Sequence, residues 1–291
     1  MSNIRRFTLI LLLFLLIVLL LVMGLWTVVT ATRGEVCHNS SARVLVMGNS
    51  RIQYGFDDSK MSGMWNVGLN ADNYNIIYWK LKMLHQCNPQ IQKVLLEVDD
   101  VLLNSYFKGV EYKLHPYYWD QMDAGDWLRL IENDRTILMY PLDWVKTLYP
   151  VKSLWAPVSF KELGIGGYSR LQRDKLQESI QNEGKASVGG DGDGSGRPQK
   201  NQLQKYYLQR IIDYCRDNNV KLEFINMPSY PTETVKQNNS ELHQYVSQTY
   251  PDIPFHDFEL LELPDSCYGD ISHLNYRGAA VFASEWMESL Q

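Results

Sequence analysis

Residues 43–51 read Arg-Val-Leu-Val-Met-Gly-Asn-Ser-Arg, and this stretch decides the fold. The run Arg43–Met47 is largely apolar and β-branched, and Gly48 ends it, which indicates a buried strand followed by a turn. Similar apolar runs occur at Lys93–Val98 and Lys221–Asn226. The sequence therefore predicts a sheet whose strands are buried on both faces.

Helical patterns separate these strands. Two shorter strands are predicted at Trp65–Val67 and Pro254–Phe258. Apolar residues at helical spacing predict four helices, over Asp72–Gln86, Gln202–Arg216, Thr232–Gln248 and Tyr276–Leu290. Alternating strands and helices are typical of an α/β domain in which a parallel sheet carries helices on both faces.

The middle of the chain does not follow this alternation. Residues at about 104–183 are rich in Tyr, Trp and Leu, and Trp127–Asn133 and Leu142–Leu148 have helical patterns, which predicts a helical insertion over one edge of the sheet. Residues at about 184–200 are rich in Gly, Ser and Asp and predict a flexible loop.

The N-terminus carries an uncharged apolar run, Phe7–Thr30, that is long enough to cross a bilayer as a helix. Residues 1–33 are therefore predicted to form a cytoplasmic tip and a transmembrane anchor, followed by one domain over 34–291. A cleaved signal peptide is the alternative, because Val29-Thr30-Ala31 has small residues at suitable offsets.

Charges flanking this run predict its orientation. Arg5 and Arg6 precede it, whereas Arg33 is followed by Glu35, so the positive-inside rule places the N-terminus in the cytoplasm. The domain is then extracytoplasmic, in a periplasm or outside the cell, and the membrane is its first partner. A cleaved signal peptide would also export the domain.

The exported part is acidic. The whole chain has a formal net charge of −5, and residues 34–291 retain 25 basic and 33 acidic residues, which argues against a nucleic-acid partner. The four cysteines and six histidines show no metal-binding spacing, so neither a metal nor a cofactor is expected. An oxidising compartment would allow one or two disulfides, but the spacing of the cysteines does not show which of them pair.

Three short motifs carry residues suited to acyl chemistry. Ser50 lies in the turn after the first strand, where parallel sheets bind ligands. Asp270 and His273 lie three residues apart before the last helix, and an imidazole oriented by a carboxylate activates a serine hydroxyl. Gly68 and Asn70 follow the second strand and provide candidate oxyanion donors. Taken singly, each motif is also compatible with an ordinary turn or helix cap.

Taken together and in this order, the motifs resemble those of the SGNH/GDSL hydrolase superfamily. Gly48-Asn49-Ser50, Gly68 and Asp270-x-x-His273 match the first, second and last family blocks. The third block, Gly-x-Asn, is replaced by Leu96-Glu97-Val98-Asp99-Asp100, so the usual side-chain oxyanion donor is missing and Asn70 is the candidate substitute. The resemblance implies a flavodoxin-like three-layer sandwich with a parallel sheet.

This variant pattern is most similar to a membrane-anchored branch that works in polysaccharide O-acetylation and teichoic-acid D-alanylation beside a multi-span O-acyltransferase. The resemblance implies that Ser50 is the nucleophile, His273 the general base and Asp270 its orienting group. The N–H groups of Ser50 and Gly68, with Asn70, would hold the oxyanion. The implied activity is that of a serine esterase or O-acyltransferase acting on acyl groups of cell-envelope polysaccharide.

Three questions stay open from the sequence alone. The missing third block favours a non-catalytic partner that binds glycan or docks the acyltransferase, whereas the intact Ser, His and Asp favour catalysis. Arg51 is a candidate contact for an anionic polymer, and a salt bridge to Asp57 or Asp58 is its alternative. Asp99 and Asp100 either support the serine turn and line the cleft or cap a loop.

Overall fold

The structure is a computed structural model that describes residues 2–99, 116–133, 165–186, 199–286 and 290. The predicted insertion at about 104–183 lies only partly within these ranges. Leu142–Leu148 and residues 187–198 of the predicted flexible loop lie outside the described residues. The bounds of the insertion and of the loop therefore stay predictions.

Five parallel strands form one sheet. They are β1 (Val44–Met47), β2 (Met64–Asn66), β3 (Lys93–Glu97), β4 (Lys221–Asn226) and β5 (Phe255–Asp257). Their order across the sheet is β2-β1-β3-β4-β5, and every neighbouring pair is parallel. This is the flavodoxin-like order of a doubly wound sheet, in which the direction of winding reverses between β1 and β3. The predicted α/β class with a parallel sheet is confirmed.

The described α-helices are α1 (Ser2–Cys37), α2 (Ser50–Gly55), α3 (Tyr74–Cys87), α4 (Ala124–Asn133), α5 (Leu176–Ala186), α6 (Gln199–Asp217), α7 (Glu233–Thr249) and α8 (Tyr276–Glu285). Four of them, α3, α6, α7 and α8, correspond to the helices that the apolar spacing predicts. The helix α4 includes the predicted stretch Trp127–Asn133. The short helix α2 was not predicted, because the sequence indicated only a turn after Gly48.

The core has two clusters, one on each face of the sheet, because successive strand residues point to opposite faces. Leu45 and Met47 of β1 belong to a cluster that includes buried residues of α3, α6 and α7. Val46 belongs to the other cluster, with Ile52 of α2 and Phe282 of α8. The three layers bring α2 and α8 to the same face, where they hold the loops that follow β1 and precede α8.

The helix α1 contains one candidate membrane span, Ile4–Gly24, whose residues are not buried by protein. It is long and apolar enough to cross a bilayer, and a signal sequence meets the same criteria. The helix continues to Cys37, which forms a disulfide with Cys87 at the end of α3. The side-chain amide of Asn88 donates to the carbonyl oxygen of Cys37 at 2.6 Å, so the end of α1 is fixed to the α/β domain.

Candidate functional site

The turn after β1 presents Ser50 at the carboxyl edge of the sheet. Ser50 is the first residue of α2, and the side chain of Asn49 caps this helix by accepting the N–H of Arg51 at 2.8 Å. Gly48 leaves no room for a side chain, because a Cβ there would collide with the carboxylate of Glu97 and with Ile52. A glycine is therefore required for the turn to approach β3.

A chain of hydrogen bonds joins the three residues that the motifs singled out. Ser50 Oγ lies 2.8 Å from His273 Nε2, and His273 Nδ1 lies 2.7 Å from Asp270 Oδ1. With the proton on Nδ1, the imidazole donates to the carboxylate and accepts from the serine hydroxyl. Residues 223 positions apart in sequence are thus brought together in the arrangement of a Ser-His-Asp triad.

Local contacts fix the imidazole from several sides. The N–H of Ser272 donates to Asp270 Oδ1 at 3.0 Å, and the ring of Tyr54 packs edge-on against His273 with centroids 5.6 Å apart. Asn275 caps α8 by accepting the N–H groups of Arg277 and Gly278. The alternative interpretation of the motif as a helix cap is therefore also correct, since Asn275 caps while His273 faces Ser50.

The second oxygen of Asp270 is held by a residue that the sequence did not point to. Arg173 Nη1 donates to Asp270 Oδ2 at 2.6 Å. Burial alone would raise the pKa of Asp270, but the hydrogen bonds and charges of His273 and Arg173 lower it to about 2. Asp270 is thus a carboxylate at neutral pH, with both oxygens engaged.

Arg173 belongs to a segment that contacts both the loop after β2 and the loop that carries Asp270. The N–H of Gly167 donates to the carbonyl oxygen of Gly68 at 3.1 Å, and the N–H of Lys175 donates to that of Gly269 at 2.8 Å. Gly166 has φ +98°, and a Cβ there would collide with the carbonyl oxygen of Gly68. Residues 165–175 therefore connect the loop after β2 to the loop that carries Asp270.

A buried cluster of charges lies beneath the serine turn. The guanidinium of Arg51 lies 3.5 Å from Asp99 Oδ2 and 3.4 Å from Glu259 Oε1, and its Nε lies 3.9 Å from Glu97 Oε1. It also donates to the carbonyl oxygen of Met227. Arg51 is only 6% exposed. A salt bridge to Asp57 or Asp58 was one of the two alternatives that the sequence left open for Arg51, and the carboxyl groups that the structure places around its guanidinium are instead those of Glu97, Asp99 and Glu259.

The same carboxylates hold the residue before the serine. The N–H of Asn49 donates to Glu97 Oε2 at 2.8 Å, and its side-chain amide donates to Asp99 Oδ2 at 3.1 Å. The prediction that Asp99 supports the serine turn is confirmed, whereas Asp100 lies outside the described residues. Burial and the neighbouring Asp99 raise the pKa of Glu97 to about 8, against the opposing effect of Arg51.

The predicted oxyanion donors occupy different environments. Among the described residues, the N–H of Ser50 donates to no acceptor. The N–H of Gly68 already donates to Asn66 Oδ1 at 2.8 Å. The N–H of Asn70 donates to Gln53 Oε1 at 2.9 Å, and the residue is exposed. Only Ser50 thus offers a backbone donor without a protein partner.

A pocket of about 630 Å³ borders the site on the side of His273 and Asp270. Residues of α5 line one wall of this pocket, and residues at the start of α7 line another. The N–H of Ile271 donates to Ser179 Oγ at 3.0 Å, which joins α5 to the loop that carries the triad. The volume lies in the range of pockets that bind small molecules or short polymer segments.

The remaining chemistry-bearing residues lie elsewhere. Within the described ranges, no group of three or more His, Cys, Asp or Glu side chains has the arrangement of a metal site. Cys215 and Cys267 are buried thiols, and burial raises the pKa of Cys215 to about 12.

Comparisons with known proteins add little to this geometry. One family model matches residues 199–291, less than half of the chain. A comparison with curated proteins finds no match. Among solved structures, the chain is similar to a protein from Streptococcus pneumonia described provisionally as a platelet activating factor, with 12% identity and a TM-score of 0.42 over 95% of this chain and 99% of that one.

A second similar structure comes from Bacteroides fragilis NCTC 9343 and is described, also provisionally, as an acylhydrolase. Its identity is 11% and its TM-score 0.36, over 85% of this chain and 86% of that one. These values are too low to carry an argument about the activity, so the function must be argued from the residues themselves.

Proposed function

We propose that this chain is a membrane-anchored serine esterase or O-acyltransferase of the SGNH type. The observation that carries the proposal is the hydrogen-bond chain from Ser50 through His273 to Asp270. The strand order supports it, because Ser50 follows β1 at the point where the direction of winding reverses and where such sheets bind ligands. The order of the sequence motifs points to the same family.

In the first half of the reaction, Ser50 Oγ attacks the carbonyl carbon of an ester while its proton passes to His273 Nε2. The C–O bond to the leaving alcohol then breaks, and the imidazolium returns the proton to that oxygen. The acyl group stays on Ser50 as a new ester. Asp270 remains ionised throughout, orienting the ring and stabilising its charged form.

In the second half, His273 takes a proton from water or from a sugar hydroxyl, whose oxygen attacks the acyl carbon. The bond to Ser50 Oγ breaks, and the proton passes to the serine. Water gives a carboxylic acid and a sugar hydroxyl gives a new ester. Which acceptor reacts depends on how well the site excludes water and positions the sugar.

The negative oxygen of the tetrahedral intermediate needs donors that are already aimed at it. The N–H of Ser50 is the first of these, since it has no protein acceptor among the described residues. The exposed side-chain amide of Asn70 is the second. Gly68 can contribute only if its N–H exchanges Asn66 Oδ1 for the oxyanion.

The proposed substrate is an acyl group on a cell-envelope polysaccharide, and the proposed partner is a multi-span O-acyltransferase in the same membrane. Both come from the resemblance of the motifs, and the apolar span of α1 is compatible with them because it would hold the domain at the membrane surface. We assign Arg51 to supporting the serine turn, since protein carboxylates surround its guanidinium.

A non-catalytic role is the second candidate. The observation that favours it is the engaged N–H of Gly68, together with the missing third block, because both weaken the oxyanion site. In that role the domain would bind glycan or dock the acyltransferase without forming an acyl-enzyme.

Labelling of the full chain in detergent with a serine-reactive phosphonate decides between the two. We expect a covalent adduct on Ser50 and turnover of a small acetyl ester. In the Ser50→Ala variant, both are lost, with turnover reduced by about 10³-fold or more. Ser284→Ala is the matched control, because Ser284 is exposed on α8 and its hydroxyl donates to the carbonyl oxygen of Val281 within the same helix. Undiminished turnover in a folded Ser50→Ala protein would exclude Ser50 as the nucleophile.

A further inference from the structure

Two helices that carry none of the triad residues contribute to the lining of the pocket beside the triad. The helix α5 contributes Asn182 and Glu183, and the start of α7 contributes Thr234, Val235 and Asn238. Thr232, just before α7, donates its hydroxyl to Glu183 Oε1 at 2.8 Å, so the two walls are joined at this end. The pocket is therefore a defined groove that leads away from His273.

Each cation in the groove lining already faces a protein carboxylate. Arg51 is surrounded by carboxylates beneath the serine turn. Arg173 is paired with Asp270 at 2.6 Å, and Lys175 Nζ lies 3.2 Å from Glu178 Oε2. Each cation of the groove lining is thus shared with a protein carboxylate, although the side chains of Arg173 and Lys175 are 47% and 61% exposed.

The charged side chains that line the groove also disfavour an anionic ligand. Three cationic side chains, those of Arg51, Arg173 and Lys175, stand against four carboxylates, those of Glu178, Glu183, Glu259 and Asp270. The exported part of the chain is also acidic. A polyanion entering the groove would meet like charge both locally and at longer range, which disfavours its binding.

The groove does offer uncharged hydrogen-bonding groups. Within the part of the chain that the structure describes, the side-chain amides of Asn182 and Asn238 make no hydrogen bond, and the hydroxyl of Thr234 makes none. Each amide both donates and accepts, as does a hydroxyl. Such groups match the hydroxyls and ring oxygens of a sugar.

We propose that this groove binds an uncharged, polyhydroxylated segment of the acylated glycan and so presents its ester to Ser50. The inference rests on the proposed function, and it makes the substrate class a neutral polysaccharide rather than an anionic one. Arg51, which the sequence offered as a contact for an anionic polymer, then has no such role.

Binding to the full-length Ser50→Ala protein tests the groove without turnover. The probes are O-acetylated xylo-oligosaccharides, which are neutral, and O-acetylated oligogalacturonates, which are anionic. We expect the Kd for the neutral probe to be lower by about tenfold or more at low ionic strength. The gap should narrow at high ionic strength, because salt screens the repulsion of the anionic probe. Equal affinities, a preference for the anionic probe or binding of neither would overturn the inference.

Introducing a bulky side chain into the groove tests whether the neutral probe binds there. In the Ser50→Ala background, Asn238→Trp should raise the Kd for the neutral probe by about tenfold or more. Gln248→Trp is the matched control, because it lies on the same helix but outside the groove, and it should leave this Kd unchanged. An unchanged Kd in the Asn238→Trp protein would overturn the location.

The two proposals fail separately. If the phosphonate labels Ser50 in the unmodified chain but the Ser50→Ala protein binds neither probe, the proposed esterase activity is supported and the proposed glycan-binding groove is overturned. Binding of the neutral probe without any labelling would retain the groove and favour the non-catalytic role.

Discussion

Asp270 depends on Arg173 as well as on its neighbours in sequence. The Arg173→Ala variant removes the donor to Asp270 Oδ2, and the carboxylate can then rotate away from His273. We expect kcat for a small ester to fall by about tenfold, because a loss of orientation at a triad is costly. Arg173→Lys keeps the charge and should restore most of kcat. Steady-state kinetics of the full chain with a small acetyl ester measures both.

The matched control for this change is Arg216→Ala. Arg216 is also exposed and paired with an aspartate, Asp213, but it lies at the end of α6. It should leave kcat unchanged, and neither variant should alter the free energy of unfolding by more than about 1 kcal/mol, because both ion pairs include exposed side chains. Equal losses in the Ala and Lys variants of Arg173 would contradict the positioning role of its charge.

Glu97 makes the stability of the serine turn depend on pH. Its folded-state pKa is about 8 against an ordinary 4.5, so the folded protein keeps a proton that the unfolded chain loses. The stabilisation is fully present below about pH 4.5 and is lost as the pH rises through about 8. The variant Glu97→Gln stays uncharged and can still accept the N–H of Asn49.

The free energy of unfolding of the unmodified chain should therefore fall relative to that of Glu97→Gln by at least about 1 kcal/mol between acidic and mildly alkaline pH. Urea unfolding of both proteins across this range measures the difference. Glu241→Gln, an exposed change on α7, is the matched control and should show no such divergence. Parallel curves for Glu97→Gln and the unmodified chain would contradict the protonated state of Glu97.

At this scale the sequence predicted the candidate site residues that lie in local motifs. Ser50, Asp270 and His273 each stand in a short pattern with a chemical rationale, and the structure brings them together. Arg173 and Glu259 had no such pattern, because their contacts join segments far apart in the chain. The salt-bridge alternative for Arg51 named other partners for the same reason, since Asp57 and Asp58 are near in sequence but Glu97 and Asp99 are near in space.

At the scale of elements, the disulfide between Cys37 and Cys87 joins α1 to α3 across 50 residues. Closing a loop of this length reduces the entropy of the unfolded chain and is worth about 4 kcal/mol. The double variant Cys37→Ser with Cys87→Ser should therefore lower the free energy of unfolding by about that amount. Urea unfolding with and without reductant measures the effect.

Reductant should destabilise the unmodified chain and leave the double variant unchanged, because Cys215 and Cys267 are free thiols. Sensitivity of the double variant to reductant would show that another disulfide exists. The sequence left this pairing open, since cysteine spacing carries no information on which helix ends meet. It did predict the strands β1, β3 and β4, because each is a continuous apolar run.

The positions of two helices could not be predicted from the sequence pattern. The helix α2 has six residues, too few for an apolar period, and its start depends on Asn49 as a cap. The helix α5 begins in the predicted insertion and ends within the stretch predicted as a flexible loop, and its position beside the triad depends on Ser179 bonding the N–H of Ile271. Both positions follow from contacts between distant segments, which local periodicity does not encode.

At the scale of the molecule, the open question is whether α1 anchors the domain to a membrane. The candidate span Ile4–Gly24 has 21 residues, whereas the apolar core of a signal peptide has about 7–15. Its helix also continues to Cys37, which is bonded to the domain. The length of the span favours an anchor over a cleaved signal peptide. The disulfide does not distinguish the two, because Cys37 follows the candidate cleavage site at Ala31 and stays with the domain in both cases.

A chain with an epitope tag before Met1 tests this orientation. In spheroplasts, added protease should digest the domain while the tag stays protected and membrane-bound, because the positive-inside rule predicts from Arg5 and Arg6 that the N-terminus stays in the cytoplasm. Replacing both arginines with glutamate removes that bias and should expose the tag in a fraction of the chains. Release of an untagged domain from the membrane would instead show that the apolar run is cleaved and that the domain has no anchor.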